Sequence, residues 1–211
     1  MQWAAARSHA CASRSAREQN EAPCPQLPDN HICPSFGGPS VELDSLKNLY
    51  IDELKDLYSA ENQILKGLPR MVKAASSKEL KRAFASHEKM TQRQVKRLER
   101  VFRQLGERPG GKKCVGMEGL VKEVKELISE KPEPEVLDAG LISKAQHIEH
   151  YEMAGYGTVR TYARTLGFAD QQALLQETLD EEQATDKQLT QIAENGINVE
   201  AMDPEGGDDE E

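Results

Sequence analysis

The sequence lacks the features of a membrane-spanning chain. No run of about 18 or more apolar residues, the length that marks a spanning helix, occurs in its 211 residues. We therefore expect no membrane-spanning segment and no membrane partner. Aromatic residues make up only 5%, and Val and Ile are sparse, whereas Leu, Ala, Glu, Lys, Gln and Arg dominate the middle of the chain. Because those residues favour helices over strands, the composition predicts an all-α protein.

Cysteine is also scarce. Of the four cysteines, Cys11, Cys24 and Cys33 lie near the amino terminus and only Cys114 lies in the helical part. This distribution excludes a disulfide framework for the helical part. It predicts a protein of a reducing compartment, and we expect a cytoplasmic location. Cys114 has no neighbouring cysteine, so buried packing is its expected role.

The net charge of −9 is concentrated at the carboxyl terminus, where residues 200–211 include seven acids. An acidic chain of this kind argues against nucleic acid as a partner. Residues 1–40 show no lasting periodicity and are rich in Ala, Ser, Arg, Pro and Gly. We therefore divide the chain into a disordered extension (1–40), a helical bundle (41–197) and an acidic disordered tail (198–211).

Four long segments show apolar residues at spacings of three and four, the pattern of amphipathic helices. The first begins near Leu43, the second runs from Ser77 to Gly106, and the others span about 135–167 and 170–194. A shorter helical pattern occupies 112–131, between the second and third long helices. The sequence thus predicts a four-helix bundle with a long crossover that carries an extra short helix.

Each long helix has a polar residue in the middle of its apolar stripe. Because the midpoints of bundled helices share a level, these side chains should converge in the interior. Buried carboxylates repel each other unless they are protonated or a cation holds them. Carboxylates with one imidazole suit iron or manganese, and zinc is a further option. The predicted metal ligands are Glu61, His87, Glu152 and Glu182, with Glu149 one turn before Glu152.

A second interpretation treats these residues as structural. The acids would then pair with Arg160, Arg164, Lys144 or a tyrosine, and His87 would be a hydrogen-bonded core histidine. His150 lies off the stripe, which favours a hydrogen bond to a ligand or contact with a partner subunit over direct metal binding.

Four motifs carry a resemblance to a known family. They are Tyr58-Ser59-Ala60-Glu61, the segment Lys113 to Leu120, Glu149-His150-Tyr151-Glu152 with Tyr156-Gly157, and Glu177 to Glu182 with Ala184-Thr185-Asp186. Over residues 43 to 196 the sequence resembles the bacterial family typified by the stress-associated proteins YciE and YciF, a domain of unknown function. The resemblance implies a ferritin-like bundle, a metal centre, homodimers and a role in stress.

Two positions depart from the ligand pattern of ferritin-like centres, which commonly have Glu-x-x-His on two helices. Met90 follows His87 by three residues, and Thr185 follows Glu182 by three. Three hypotheses follow. The chain is a di-iron oxidase that uses Fe(II) and dioxygen or peroxide, a non-enzymatic helical dimer in the stress response, or a protein with a structural single-metal site such as zinc.

Overall fold

The structure, a computed structural model, describes residues 43–202, and every regular element in that range is helical. The amino-terminal extension predicted for 1–40 and residues 203–211 of the acidic tail lie outside the described range. A π-helical turn, Ala193–Ile197, follows the fifth helix. The helices are α1 (Leu46–Ala74), α2 (Lys78–Leu105), α3 (Val115–Glu130), α4 (Pro134–Thr165), α5 (Ala169–Ile192) and α6 (Asn198–Glu200).

The four long helices form the predicted bundle. Short turns join α1 to α2 and α4 to α5, and each of these pairs packs along its length. Contacts of α1 with α4 and of α2 with α5 close the bundle, while α3, in the crossover between α2 and α4, packs on α1 and α4. The all-α class and the bundle with a short crossover helix are therefore confirmed.

The turn between α1 and α2 is fixed by a buried acid of α4. Asp138 accepts hydrogen bonds from the backbone N–H groups of Ser76 (2.8 Å) and Ser77 (2.6 Å). Ser77 itself caps α2, because its hydroxyl accepts the N–H groups of Glu79 and Leu80. At the other end α2 stops at Gly106, whose φ of 71° suits glycine. These contacts set the start of α2 against α4 and so fix the level of His87.

Two details of the first two helices differ from the sequence prediction, the start of α1 and the buried face of α2. Helix α1 begins at Leu46, not near Leu43, because the hydroxyl of Ser45 accepts the N–H of Asn48 and caps the helix there. Pro69 lies late in α1, as the sequence indicates, and the helix continues beyond it to Ala74. On α2 the buried face includes Gln94, while Val95, which the predicted stripe contained, is only half-buried.

The apolar core is divided into two parts. One cluster at the end of the bundle includes Leu54, Leu98 and Tyr156, and the other, larger cluster includes Leu68 and Phe84. On each long helix the buried glutamates, or His87 on α2, lie between residues of one cluster and residues of the other. A polar layer therefore crosses the middle of the bundle, where the sequence pattern predicted it.

Helix α4 approaches α1 closely at Gly155, one turn from Glu152. A Cβ atom at Gly155 would lie 2.6 Å from Cδ2 of Leu57, which is buried one turn from Glu61. We expect Gly155→Ala to lower the free energy of unfolding by about 1–3 kcal/mol, since an overpacked core must shift. Gly157→Ala is the matched control on the same helix, because a Cβ there meets nothing within 4 Å.

Urea denaturation of the two glycine variants checks this close approach. Gly157→Ala should gain up to about 1 kcal/mol, because alanine is the better helix former. Equal gains in both variants would contradict a tight crossing of α1 and α4.

None of the helices in residues 43–202 has the length and apolarity needed to cross a membrane. The last helix, α6, lies within the segment that the sequence assigned to the tail. Ile197, just before it, is buried in the larger core cluster, so the packed structure reaches at least to this residue.

Candidate metal centre

The polar layer brings four of the five predicted ligands into one cluster. His87 of α2, Glu149 and Glu152 of α4, and Glu182 of α5 each offer a ligand atom, and these atoms lie within 4.8 Å of one another. All four side chains are buried. Three helices thus supply one imidazole and three carboxylates to a volume the size of a metal site.

Glu61 of α1, the fifth predicted ligand, lies beside this cluster. Its Oε1 accepts a short hydrogen bond from the hydroxyl of Tyr156, and its Oε2 has no hydrogen-bond partner. Burial, and next the charge of Glu182, raise the pKa of Glu61 well above its usual range. The charge of the cluster therefore acts on Glu61, and Oε2 of Glu61 is available to an ion.

The acids are destabilised as anions when no cation is present. Burial is the main cause that raises the pKa values of Glu149 and Glu152 far above normal, and the charges of neighbouring carboxylates add to it. Burial also raises the pKa of Glu182 to about 7. Glu149 and Glu182 come within hydrogen-bonding reach, so they can share a proton in the metal-free protein. A bound cation would replace that proton.

His87 is neutral in this environment. Its Nε2 lies 3.2 Å from Oε1 of Glu149, a distance that would suit an ion pair. However, burial lowers the pKa of His87 to about 4, and the contact lacks the alignment of a hydrogen bond. We therefore favour the neutral ring, which is the form of histidine that binds metals.

Thr185 determines which ring nitrogen of His87 is free. The Thr185 hydroxyl donates to the carbonyl oxygen of Glu181 (3.1 Å), so its oxygen can accept from Nδ1 of His87 at 3.4 Å. With the proton on Nδ1, Nε2 faces Glu149 as a lone pair. The Thr185 hydroxyl is thus placed to hold His87 with Nε2 toward the cluster, the kind of contact that orients metal-binding histidines.

Replacing Thr185 by valine should weaken metal binding by about 10- to 100-fold, since the variant removes the acceptor for Nδ1–H of His87. Thr185→Ser keeps the hydroxyl and should bind as the wild type does. Competition with a chromophoric chelator measures both affinities. Equal affinities of the valine and serine variants would show that Thr185 does not orient His87.

Two residues of α2 beside the centre were missed in the sequence: the buried Gln94, which contacts Glu182, and the half-buried Arg97, which pairs with acids flanking the cluster. Nε2 of Gln94 donates to Glu182 (2.6 Å) and to Glu181 (3.1 Å), while Oε1 of Gln94 has no partner. Arg97, one turn further, binds Glu181 (2.9 Å) and Glu177 (2.6 Å). Gln94 could have been found, because it follows His87 by seven residues and so shares its helical face.

The cations that the structural interpretation named do not pair with the acids of the cluster, although burial, which raises the pKa values of Glu61 and Glu182, is partly offset by the charge of Arg97. Arg160 contacts Gln176 and Lys144 contacts Glu123, so neither cation reaches the cluster. The tyrosine alternative holds only for Glu61, through Tyr156. His150 is exposed and lies 3.2 Å from Asp186, on the outer surface of α4 and α5.

The buried ligand atoms without hydrogen-bond partners indicate that the cluster can hold a metal ion. Buried polar atoms almost always have hydrogen-bond partners, yet here several in one layer have none. The set of carboxylate oxygens and one imidazole nitrogen suits iron, manganese or zinc. The unpartnered ligand atoms are Oε2 of Glu61, Nε2 of His87, Oε2 of Glu149, Oε1 of Glu152 and Oε2 of Glu182.

Comparison with known proteins gives close relatives. The chain is 40% identical to protein YciF of Escherichia coli (strain K12) over 162 residues, which cover 76% of this chain and 98% of YciF. The crystal structure of the E. coli stress protein YciF superposes with a TM-score of 0.72 at 41% identity, covering 74% of this chain and 99% of that one.

Two further structures are similar. YcfI of Rhodopseudomonas palustris, named as a candidate structural protein, matches at 38% identity with a TM-score of 0.70, over 72% of this chain and 98% of its own. A Xanthomonas campestris protein shares the fold alone, at 20% identity and a TM-score of 0.63, over 76% of this chain and 99% of that protein. The model of the domain of unknown function DUF892 matches residues 45–202, and the chain therefore belongs to this family, together with the stress protein YciF.

Proposed function

We propose that this chain is a ferritin-like, metal-binding stress protein whose buried centre holds iron, most simply as two ions. The single observation that carries the proposal is the convergence of four buried ligand side chains within 4.8 Å. Glu61 adds a fifth, from the remaining helix of the bundle. The stress role rests on the relation to YciF, which is described as a stress protein.

Two Fe(II) ions would supply two electrons, enough to reduce one peroxide with two protons to two waters, or dioxygen with two protons to peroxide. The protein's own residues would bind the ions and orient the ligand atoms. Glu149, Glu152 and Glu182 offer oxygens, and Nε2 of His87 offers a nitrogen. The Tyr156 hydroxyl holds one oxygen of Glu61, and Gln94 holds one oxygen of Glu182, so that the other oxygen of each is directed elsewhere.

Anaerobic titration with Fe(II), followed by exposure to air or peroxide, tests the proposal. We expect two ions per chain and an absorbance change when the ions are oxidised. Anomalous scattering at the iron and zinc edges would place the ions between His87 and the acids. Protein that stays metal-free after anaerobic loading would overturn the proposal.

A second candidate is a non-enzymatic helical protein, with a structural ion such as zinc or with none. It is favoured by the closeness of Glu149 and Glu182, which would let the two acids share a proton and the layer fold without metal, and by the description of YcfI. Met90 and Thr185 offer no anionic ligand, which also fits a reduced site. One zinc ion per chain, with no absorbance change in air, would favour this candidate over the oxidase.

We further propose that the protein acts as a homodimer in the cytoplasm, without nucleic acid or membrane partners. The dimer follows from the family resemblance, and the location from the single cysteine in the bundle. Light scattering of the purified protein would measure the dimer directly, and a monomer at micromolar concentration would exclude it.

A further inference from the structure

A second feature of the interior is an apolar cavity of about 40 Å³ beside the polar layer. Its walls come from α1, α2, α3, α4 and α5, and its buried lining includes Leu68, Phe84 and Ile148. A water molecule needs about 10–15 Å³ of such volume. The cavity therefore has room for a molecule of two or three heavy atoms, and its apolar walls disfavour a polar one.

The inner end of this cavity is formed by the centre itself. His87 and Glu149 line it, and Nε2 of His87 and Oε2 of Glu149 are buried without hydrogen-bond partners. Met90 and Thr185, the two positions that depart from the ligand pattern, line it as well. Met90 therefore leaves an uncharged space beside the ligands. An acid at position 90 would place a carboxylate in that space.

The outer end is cationic. Arg70 and Lys125 are exposed, line the cavity, and also line a neighbouring surface cleft. Neither makes an ion pair within residues 43–202. Two positive charges at the entrance repel a metal cation, and apolar walls exclude any ion. The passage therefore suits an uncharged molecule and does not suit Fe(II).

We propose that this cavity binds a small, uncharged, apolar molecule against His87 and Glu149, and that it admits dioxygen, rather than peroxide or the metal, to the centre. The dioxygen part rests on the proposed oxidase function, whereas the binding part does not. Dioxygen is apolar and diatomic, so it matches both the lining and the size. Peroxide would lose its hydrogen bonds to water along these walls.

Xenon tests the binding part without any metal, because it occupies dry apolar cavities. We expect crystals of the metal-free protein, pressurised with xenon, to show one atom between Phe84, Ile148 and His87. Ala145→Leu fills the cavity from α4, and the half-buried Ala83→Leu fills it from α2. Both variants should lose the xenon peak. Ala154→Leu, at an exposed position of α4, is the matched control and should keep it.

Circular dichroism tests whether each variant is folded. If one of the two filled variants does not fold, the other is compared with the wild type. No xenon in the wild-type cavity, or xenon that persists in both filled variants, would overturn the inference. With Fe(II) loaded, the filled variants should bind the same number of ions but oxidise them more slowly in air. Unchanged oxidation in both would overturn the role in admitting dioxygen. Wild-type protein that binds Fe(II) without oxidising it would instead refute the oxidase, and the xenon result would then decide the cavity alone.

Discussion

The metal-free protein should lose stability as the pH rises from about 6.5 to 8, and bound metal should abolish that loss. Burial, and the neighbouring charges, raise the pKa values of Glu61, Glu149 and Glu152 well above normal, and that of Glu182 from 4.5 to about 7. A carboxyl group with a raised pKa contributes full stability below its unfolded pKa, and this contribution is lost as the pH rises through its folded pKa. For Glu182 alone the loss is about 3 kcal/mol over the whole interval from pH 4.5 to about 7, of which roughly 1 kcal/mol falls above pH 6.5.

His87 acts in the opposite direction but at lower pH. Burial lowers its pKa from 6.5 to about 4, so its contribution is complete above pH 6.5 and is lost as the pH falls toward 4. Between pH 4.5 and 6.5 the effects of His87 and Glu182 therefore largely cancel. The loss of stability there comes from Glu61, Glu149 and Glu152. Above pH 6.5 only the carboxyl groups still titrate, and the downward trend should be clear.

Urea denaturation at a series of pH values, with and without Fe(II) under anaerobic conditions, measures this trend. Because protons compete with metal for the same oxygens, metal binding should strengthen as the pH rises. The loaded protein should then keep a nearly constant stability over the interval in which the free protein weakens, because neither its metal-bound carboxylates nor the unfolded chain's acids carry protons there. A metal-free protein with constant or rising stability above pH 6.5 would show that the acids are paired in a way the structure does not contain.

The fold was predictable because helix periodicity is a local property. On α5 the predicted stripe is buried, and of the two residues that the pattern allowed at one position, Thr185 is buried and Asp186 is only half-buried. The other members of the stripe are Leu175, Leu179, Glu182, Leu189 and Ile192. A charged residue inside such a stripe is conspicuous, since it breaks the apolar pattern at a position that must face inward. The ligand candidates were found for the same reason.

The partners of those residues could not be predicted in the same way. Gln94 is a neutral amide, and an error in the angular phase of α2 gave its place on the buried face to Val95. Tyr156 was on the predicted stripe, but its contact with Glu61 depends on how α1 and α4 face each other. The cavity beside Met90 depends on five helices at once. Single-helix patterns carry no information about such relations between helices.

Glu152→Gln should strongly weaken metal binding and yet stabilise the metal-free protein. Oε1 of Glu152 has no partner, and its pKa is raised by burial and by the charges of Glu61, Glu182 and Glu149, in that order. Glutamine has almost the same shape but no charge, so it removes one repelling anion from the layer. We expect a gain of about 1–3 kcal/mol in the free energy of unfolding at pH 8, comparable to the cost of burying an unpaired polar group. Metal affinity should fall by more than about 100-fold, since even residues that only orient ligands cost up to that much.

Glu194→Gln is the matched control, because Glu194 is exposed and its replacement should change the stability by less than about 0.5 kcal/mol. Chelator competition and urea denaturation at pH 8 give the two readouts. A structural acid would behave differently: if Glu152 formed a stabilising contact in the metal-free core, glutamine would weaken the fold and leave metal binding unchanged. A variant that gains stability without metal and loses metal affinity would show that Glu152 binds an ion and destabilises the metal-free fold.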